Sequence, residues 1–250
     1  MINIGQNNID LLRRYAEQYE TEDFLVGDPS YFMHQVQGKE NKEVTAFIAS
    51  ALSYGNRKQF MPKIQYLLDI AGGDMYGYII SGEYNRYFSA SNEVSFYRLY
   101  SNAQFFSFLE SCRSLLVRYG SVGEFLRARV ATGYEAVEAL TSFFAKEGSG
   151  GVIPKDTQSC CKRVCMYLRW MVRENSPVDL GLWADFIDKR TLIMPMDTHV
   201  LQQSLRLGLI SSKTASMSAA VKLTATLAQV FPDDPLKGDF ALFGYGVNNK

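Results

Sequence analysis

The segment Leu192–Leu209, LIMPMDTHVLQQSLRLGL, holds the residue types best placed to do chemistry. An extended apolar entry and a proline bring the chain to Asp197, and Val200, Leu201, Ser204, Leu205 and Leu207 then fall on the inner face of a helix. A carboxylate directly ahead of a helix is an N-cap, accepting from a first-turn amide that has no intrahelical partner. Capping alone accounts for an aspartate there, so a chemical role needs further support. His199, two residues on, is either a hydrogen-bond partner for a neighbouring backbone group or carboxylate, or a group that titrates near neutral pH. The four cysteines are Cys112, Cys160, Cys161 and Cys165, three of them within six residues of one helical pattern. Adjacent and i,i+4 thiols make a poor disulfide framework, and no C-x-x-C pair or Cys/His spacing suggests zinc, so reduced thiols and no metal are expected.

Further support comes from likeness. P-M-D-T-H-V, followed by Arg206 and Leu-Gly-Leu, resembles the V-D-T-H segment of endonuclease III and its relatives in the helix-hairpin-helix DNA glycosylase superfamily. Upstream, AFIASALSYGNRKQFMPKIQYLL resembles the helix, polar turn and second helix that line the base pocket and minor-groove side of those enzymes. Downstream, DFALFGYGV resembles the family's last helix, beside the catalytic one. The likeness touches roughly residues 44–70 and 157–247, in the right order. C-K-R-V-C-M-Y-L-R-W-M-V-R together with P-M-D-T-H-V is similar, more closely still, to a bacterial family of unknown function placed among such folds.

The resemblance implies an all-α, two-lobed domain with a cleft between the lobes, acting on double-stranded DNA that carries a damaged base. Asp197 takes the place of the catalytic aspartate. Bifunctional members use a lysine at the start of the preceding helix, and Lys162 matches it. As a neutral amine it would attack the sugar's anomeric carbon and form a Schiff base, with Arg163 and Arg169 as neighbouring cations that favour neutrality. Read from its position alone, Lys162 is a surface lysine early in an amphipathic helix. Tyr54, Asn56 and Arg57, with Lys58, are either a solvated loop or part of a DNA-facing rim, and His199 is carried over as a further binding residue. Gly150 and Gly151 would present backbone amides to a phosphate. Likeness to archaeal 8-oxoguanine glycosylases suggests an oxidised purine as substrate. Two features depart from the pattern: Lys162 and Asp197 lie 35 residues apart, farther than in endonuclease-like members, and GSGGVIPKDTQSC replaces the hairpin's L-P-G-V-G. No cysteine follows Cys165, so the iron–sulfur cluster of endonuclease III is not expected, nor any other cofactor. The alternative is a catalytically silent nucleic-acid-binding or interaction protein on the same scaffold.

The elements that must position these residues are helical. Residues 7–20 place Ile9, Leu12, Tyr15, Ala16 and Tyr19 on one face, with Asn7 or Asn8 as cap. EVTAFIASALSYG predicts a buried helix through Val44, Phe47, Ile48, Ala51 and Leu52, ended by Gly55. Residues 57–70 follow, with Pro62 taken as part of a first turn. Further helices are expected at 103–118, 121–130, 134–146, 158–173, 197–208 and 214–231, and a final apolar stretch at 240–247. Residues 72–98 read as a short helix and irregular chain. Glu147–Lys155 is the strongest turn signal and a possible lobe boundary within a single domain spanning 1–250. Trp170 and Trp183 lie among apolar neighbours and read as core.

Composition narrows the class. With 47% hydrophobic and 21% charged residues and no low-complexity run, the chain can build a full apolar interior. Charge balances at 26 basic against 26 acidic residues, so any contact with a polyanion must rest on a local basic cluster. No long uninterrupted apolar run and no leader-like N-terminus are found, and a cytoplasmic protein without membrane association is expected.

Overall fold

The computed structural model describes residues 4–249. Among them the apolar spacings become twelve α-helices: α1 Gln6–Tyr19, α2 Tyr31–His34, α3 Lys39–Leu52, α4 Arg57–Ile70, α5 Met75–Ser81, α6 Asn102–Tyr119, α7 Val122–Arg127, α8 Gly133–Glu147, α9 Lys162–Val172, α10 Thr198–Arg206, α11 Met217–Leu227 and α12 Lys237–Asn248. Two short strands, β1 Ser95–Tyr97 and β2 Tyr100–Ser101, pair antiparallel between α5 and α6. The protein is all-α in class, and no helix among the described residues is long and apolar enough to cross a membrane.

Where helix ends differ from the sequence reading, local chemistry gives the reason. Gly5, not Asn7 or Asn8, occupies the N-cap of α1, and the Asn8 amide instead donates to the Leu207 carbonyl at 2.9 Å. Ser53 ends α3 two residues before Gly55. Pro62 sits in the second turn of α4, where its missing N–H deprives the Lys58 carbonyl of a partner; the expectation of a first-turn position is corrected. α9 cannot begin before Lys162, because Cys161 adopts a left-handed conformation with φ 46° and Ser159 forms an isolated bridge to Ser216. Ser216 in turn caps α11, its side chain accepting from the Ala219 amide. The hairpin went unforeseen because three residues are too few for a period-two signal.

The described residues divide into two compact units. One contains those of Met1–Val26, Ala131–Val137 and Thr157–Lys250; the other Gly27–Val130 and Glu138–Asp156. The first is built around α9, which is buried without interruption from Val164 to Val172, Arg169 included. Trp170 and Trp183 lie fully in its core, the latter edge-on to Tyr167 at 5.3 Å. α1 packs along α12, with Tyr19 edge-on to Phe243 at 5.6 Å, and Phe24 in the turn after α1 meets Phe240 and Phe243 with ring centroids 4.9 and 5.0 Å apart. The second unit centres on α3, buried from Glu43 to Leu52, against which Phe108 of α6 and Phe144 of α8 stack on Phe47 at 5.8 and 5.1 Å. A capping box between Ser101 and Gln104 starts α6 directly from β2.

Candidate functional site

Asp197 caps α10 as its position predicts. Its Oδ1 accepts from the Val200 amide at 2.9 Å, and the extended run Leu192–Met196 that delivers it is buried throughout. That leaves the second oxygen. Lys162 is the first residue of α9, and side chains on a helix lean toward its N-terminus, so the amine reaches out ahead of the helix. Lys162 Nζ stands 3.8 Å from Asp197 Oδ2, with the two side chains 30% and 44% exposed. One carboxylate oxygen thus organises a helix while the other faces an amine that solvent and solutes can reach.

Two groups flank this pair. The Cys160 thiol donates to the Met196 carbonyl at 3.0 Å, tying the approach to α9 onto the approach to α10. Burial pushes that thiol's pKa up, and the Asp197 charge adds to the effect, so Cys160 is held as a neutral donor. Asp239 of α12 lies within electrostatic reach of both Lys162 and Asp197; burial raises its carboxyl pKa against the pull of Arg169 and Lys162.

Behind the pair runs a buried ion network that sequence reasoning missed. Arg169 binds Asp239 and reaches Asp179 at 3.2 Å, and is not available as the free cation expected beside Lys162. Arg173 binds Asp179, Asp234 at 2.8 Å and Glu20 at 2.6 Å. Burial works against the Arg173 charge, but Asp179, Asp234 and Glu20 outweigh it and hold its pKa above the ordinary arginine value. A signal was present: Lys162, Arg169 and Arg173 fall at i, i+7 and i+11, a polar stripe along one side of a helix that from Val164 to Val172 is otherwise apolar or aromatic. Which carboxylates would answer it could not be read from spacing, because they come from four separate segments.

His199 is exposed on the first turn of α10, and its ring lies against Gly246 of α12, where a Cβ would collide with Nε2. The remaining candidates belong to the other unit. Tyr54 is exposed and its ring carries the Arg98 guanidinium at 5.0 Å. Asn56 caps α4 by accepting from the Lys58 amide at 2.9 Å. Arg57 donates to the Gly27 carbonyl and pairs with Asp28 at 3.4 Å. Gly150, at φ 61°, packs on the backbone of Gln104, whose Cα lies 2.8 Å from where a Cβ would stand. Its N–H already donates to Gly148 at 2.9 Å, so that amide is spent within the turn. Gly151, at φ 78°, faces open space. No group of three or more His, Cys, Asp or Glu side chains that could hold a metal ion occurs among the described residues.

Fold and site together define an all-α protein with an accessible lysine–carboxylate pair at the meeting of two helix N-termini. The chain belongs to the family described as Protein of unknown function (DUF2400), which matches residues 28–248. No curated protein and no solved structure matches it.

Proposed function

We propose that this protein is a DNA base-excision enzyme of the helix-hairpin-helix glycosylase kind, using Lys162 as nucleophile and Asp197 as the carboxylate that serves it. The observation that supports this reading is the 3.8 Å approach of Nζ to Oδ2 across 35 residues of sequence, with both groups accessible. An amine and a carboxylate that must cooperate need that convergence.

In the proposed reaction a damaged base, an oxidised purine in the first instance, leaves the stack of double-stranded DNA and is presented beside the pair. Lys162 passes a proton to Asp197, and its lone pair attacks C1′ of the nucleotide. The glycosidic C–N bond breaks; its electron pair leaves with the base, which takes up a proton. Opening of the sugar ring gives a protonated Schiff base at Lys162, and loss of a C2′ proton expels the 3′ phosphate. Asp197, fixed by its bond to Val200, stabilises the positive charge that develops on the sugar without having to reorganise. No cofactor takes part.

Borohydride reduction tests this directly. The protein should become covalently trapped on a duplex with an 8-oxoguanine or abasic site, and Lys162→Ala should abolish trapping. Absence of trapping under conditions where a control glycosylase traps overturns the proposal. The engaged amide of Gly150 favours a second reading, a scaffold that binds nucleic acid without cleaving it. Salt-sensitive duplex binding without trapping would decide for that reading.

A further inference from the structure

We propose that the cavity between α11 and the chain leaving α10 is a binding site for a small organic monoanion, an apolar body carrying one carboxylate, with Lys222 as its counter-charge. Its first wall, Leu209–Ser212, follows the C-terminal end of α10, whereas Asp197 caps the other end. The site is separate from the lysine–carboxylate pair and does not depend on the DNA reading above.

The cavity measures about 530 Å³, within the range of small-molecule sites. α10 ends at Arg206, and Gly208, at φ 65°, turns the chain so that the Leu209 amide donates back to the Ser204 carbonyl at 2.8 Å. Leu209 and Ile210 are buried, and the chain then runs without regular structure to Ser216, the cap of α11. On α11, Ala219, Lys222 and Thr226 recur at i, i+3 and i+7 along the face that lines the cavity, with Ala225 beside them. The alanines are too short to fill the space that Leu209–Ser212 leaves, and a hollow with a partly apolar lining remains.

The uncommitted polar groups of this lining are donors. Lys222 makes no ion pair, and neither its amine nor the Ser211 hydroxyl makes a hydrogen bond, among the described residues. The other two hydroxyls are engaged, Ser212 with the Thr214 carbonyl at 3.1 Å and Thr226 with the Lys222 carbonyl at 3.0 Å. The amides of Ile210, Ser211 and Ser212 have no partner among the described residues, although Ile210 is only 6% exposed. Buried amides are nearly always paired, so idle donors along a cavity call for an acceptor from outside the chain. Charge points the same way. Between Asp197 and Asp233 the sequence has no carboxylate side chain, yet it has Arg206, Lys213 and Lys222, in a chain whose charges balance overall. A metal ion or a sugar would need carboxylate or amide side chains, which this lining lacks. A DNA backbone would need a row of cations, and a single ammonium lines the cavity. One ammonium, a hydroxyl and adjacent amides match the single charge and the lone pairs of a carboxylate, and the apolar lining takes the rest of the molecule.

Isothermal titration calorimetry on the full chain tests this, with 2-naphthoate and 3-phenylpropanoate as probes, each beside its neutral amide, and adenosine monophosphate as a phosphate comparison. At least one carboxylate should bind at a single site, about tenfold or more tightly than its amide. Lys222→Met should lose about tenfold in affinity. Ala225→Leu, which fills the cavity from an exposed position, should abolish binding while melting as the wild type does. Lys162→Ala should bind as the wild type. Failure of both carboxylates to bind at about 1 mM overturns the proposal, as does binding that Lys222→Met and Ala225→Leu leave unchanged. Binding lost in Lys162→Ala overturns it too, placing the anion at the lysine–carboxylate pair, and tighter binding of adenosine monophosphate overturns the carboxylate as ligand.

Discussion

Arg173 and Asp234 form a two-pronged pair inside the protein: Nε lies 2.9 Å from Oδ1 and Nη2 2.8 Å from Oδ2. Sixty-one residues apart in sequence, they join the end of α9 to the turn before α12, and Nη2 also holds Glu20 at the end of α1. Planar, two-pronged recognition is what guanidinium provides and an ammonium does not.

Arg173→Met is therefore expected to destabilise the protein by about 3–5 kcal/mol, because it leaves Asp234 buried without its counter-charge and Asp179 with Arg169 alone. Arg173→Lys should recover only part of that loss. Urea denaturation measures both, and a loss below about 1 kcal/mol for Arg173→Met would mean that the network contributes little.

Asp197 caps α10, and the proposed mechanism gives it a second duty toward Lys162 that substitution can separate from the first. Asp197→Ala removes the cap of α10 and should cost about 1 kcal/mol, whereas Asp197→Asn keeps an equally good cap and should cost little. If the charge serves Lys162, both variants lose borohydride trapping although only Asp197→Ala loses stability. Full trapping by Asp197→Asn would leave the carboxylate as a cap alone.

The two adjacent glycines should respond differently. Gly151→Ala meets only the backbone cost of its positive φ, about 1 kcal/mol. Gly150→Ala meets that cost and also the Gln104 backbone, and a loss of about 3 kcal/mol is expected. Equal losses in denaturant melts would contradict the packing role assigned to Gly150.

Acid should act partly through Glu147. The Ser114 hydroxyl, at 2.7 Å, and then Arg118 hold its carboxyl pKa below the ordinary value. Folding thus favours the ionised form, and its contribution is full above the unfolded value of about 4.3 and is lost as pH falls through the lower folded value. Between neutral pH and about pH 3 the wild type should lose stability more steeply than Glu147→Gln; parallel curves would remove Glu147 from the account.

Much of the fold was legible in the residues themselves. The helices at 57–70, 103–118 and 134–146 follow from local apolar spacing, and Asp197 was readable as the α10 cap because capping is decided within four residues. The ends of α9 and α11 were not, since a left-handed Cys161 and the Ser159–Ser216 bridge are set by distant chain. Lys162 and Asp197 could be named from their types and from resemblance, but their 3.8 Å separation is a property of how α9 and α10 pack. The same holds for the Arg169 and Arg173 network and for the hairpin, whose Arg98 lies over Tyr54. Local periodicity tells each residue which side of its own helix it occupies; only tertiary packing decides what stands opposite, and charge pairs and catalytic groups are made by what stands opposite.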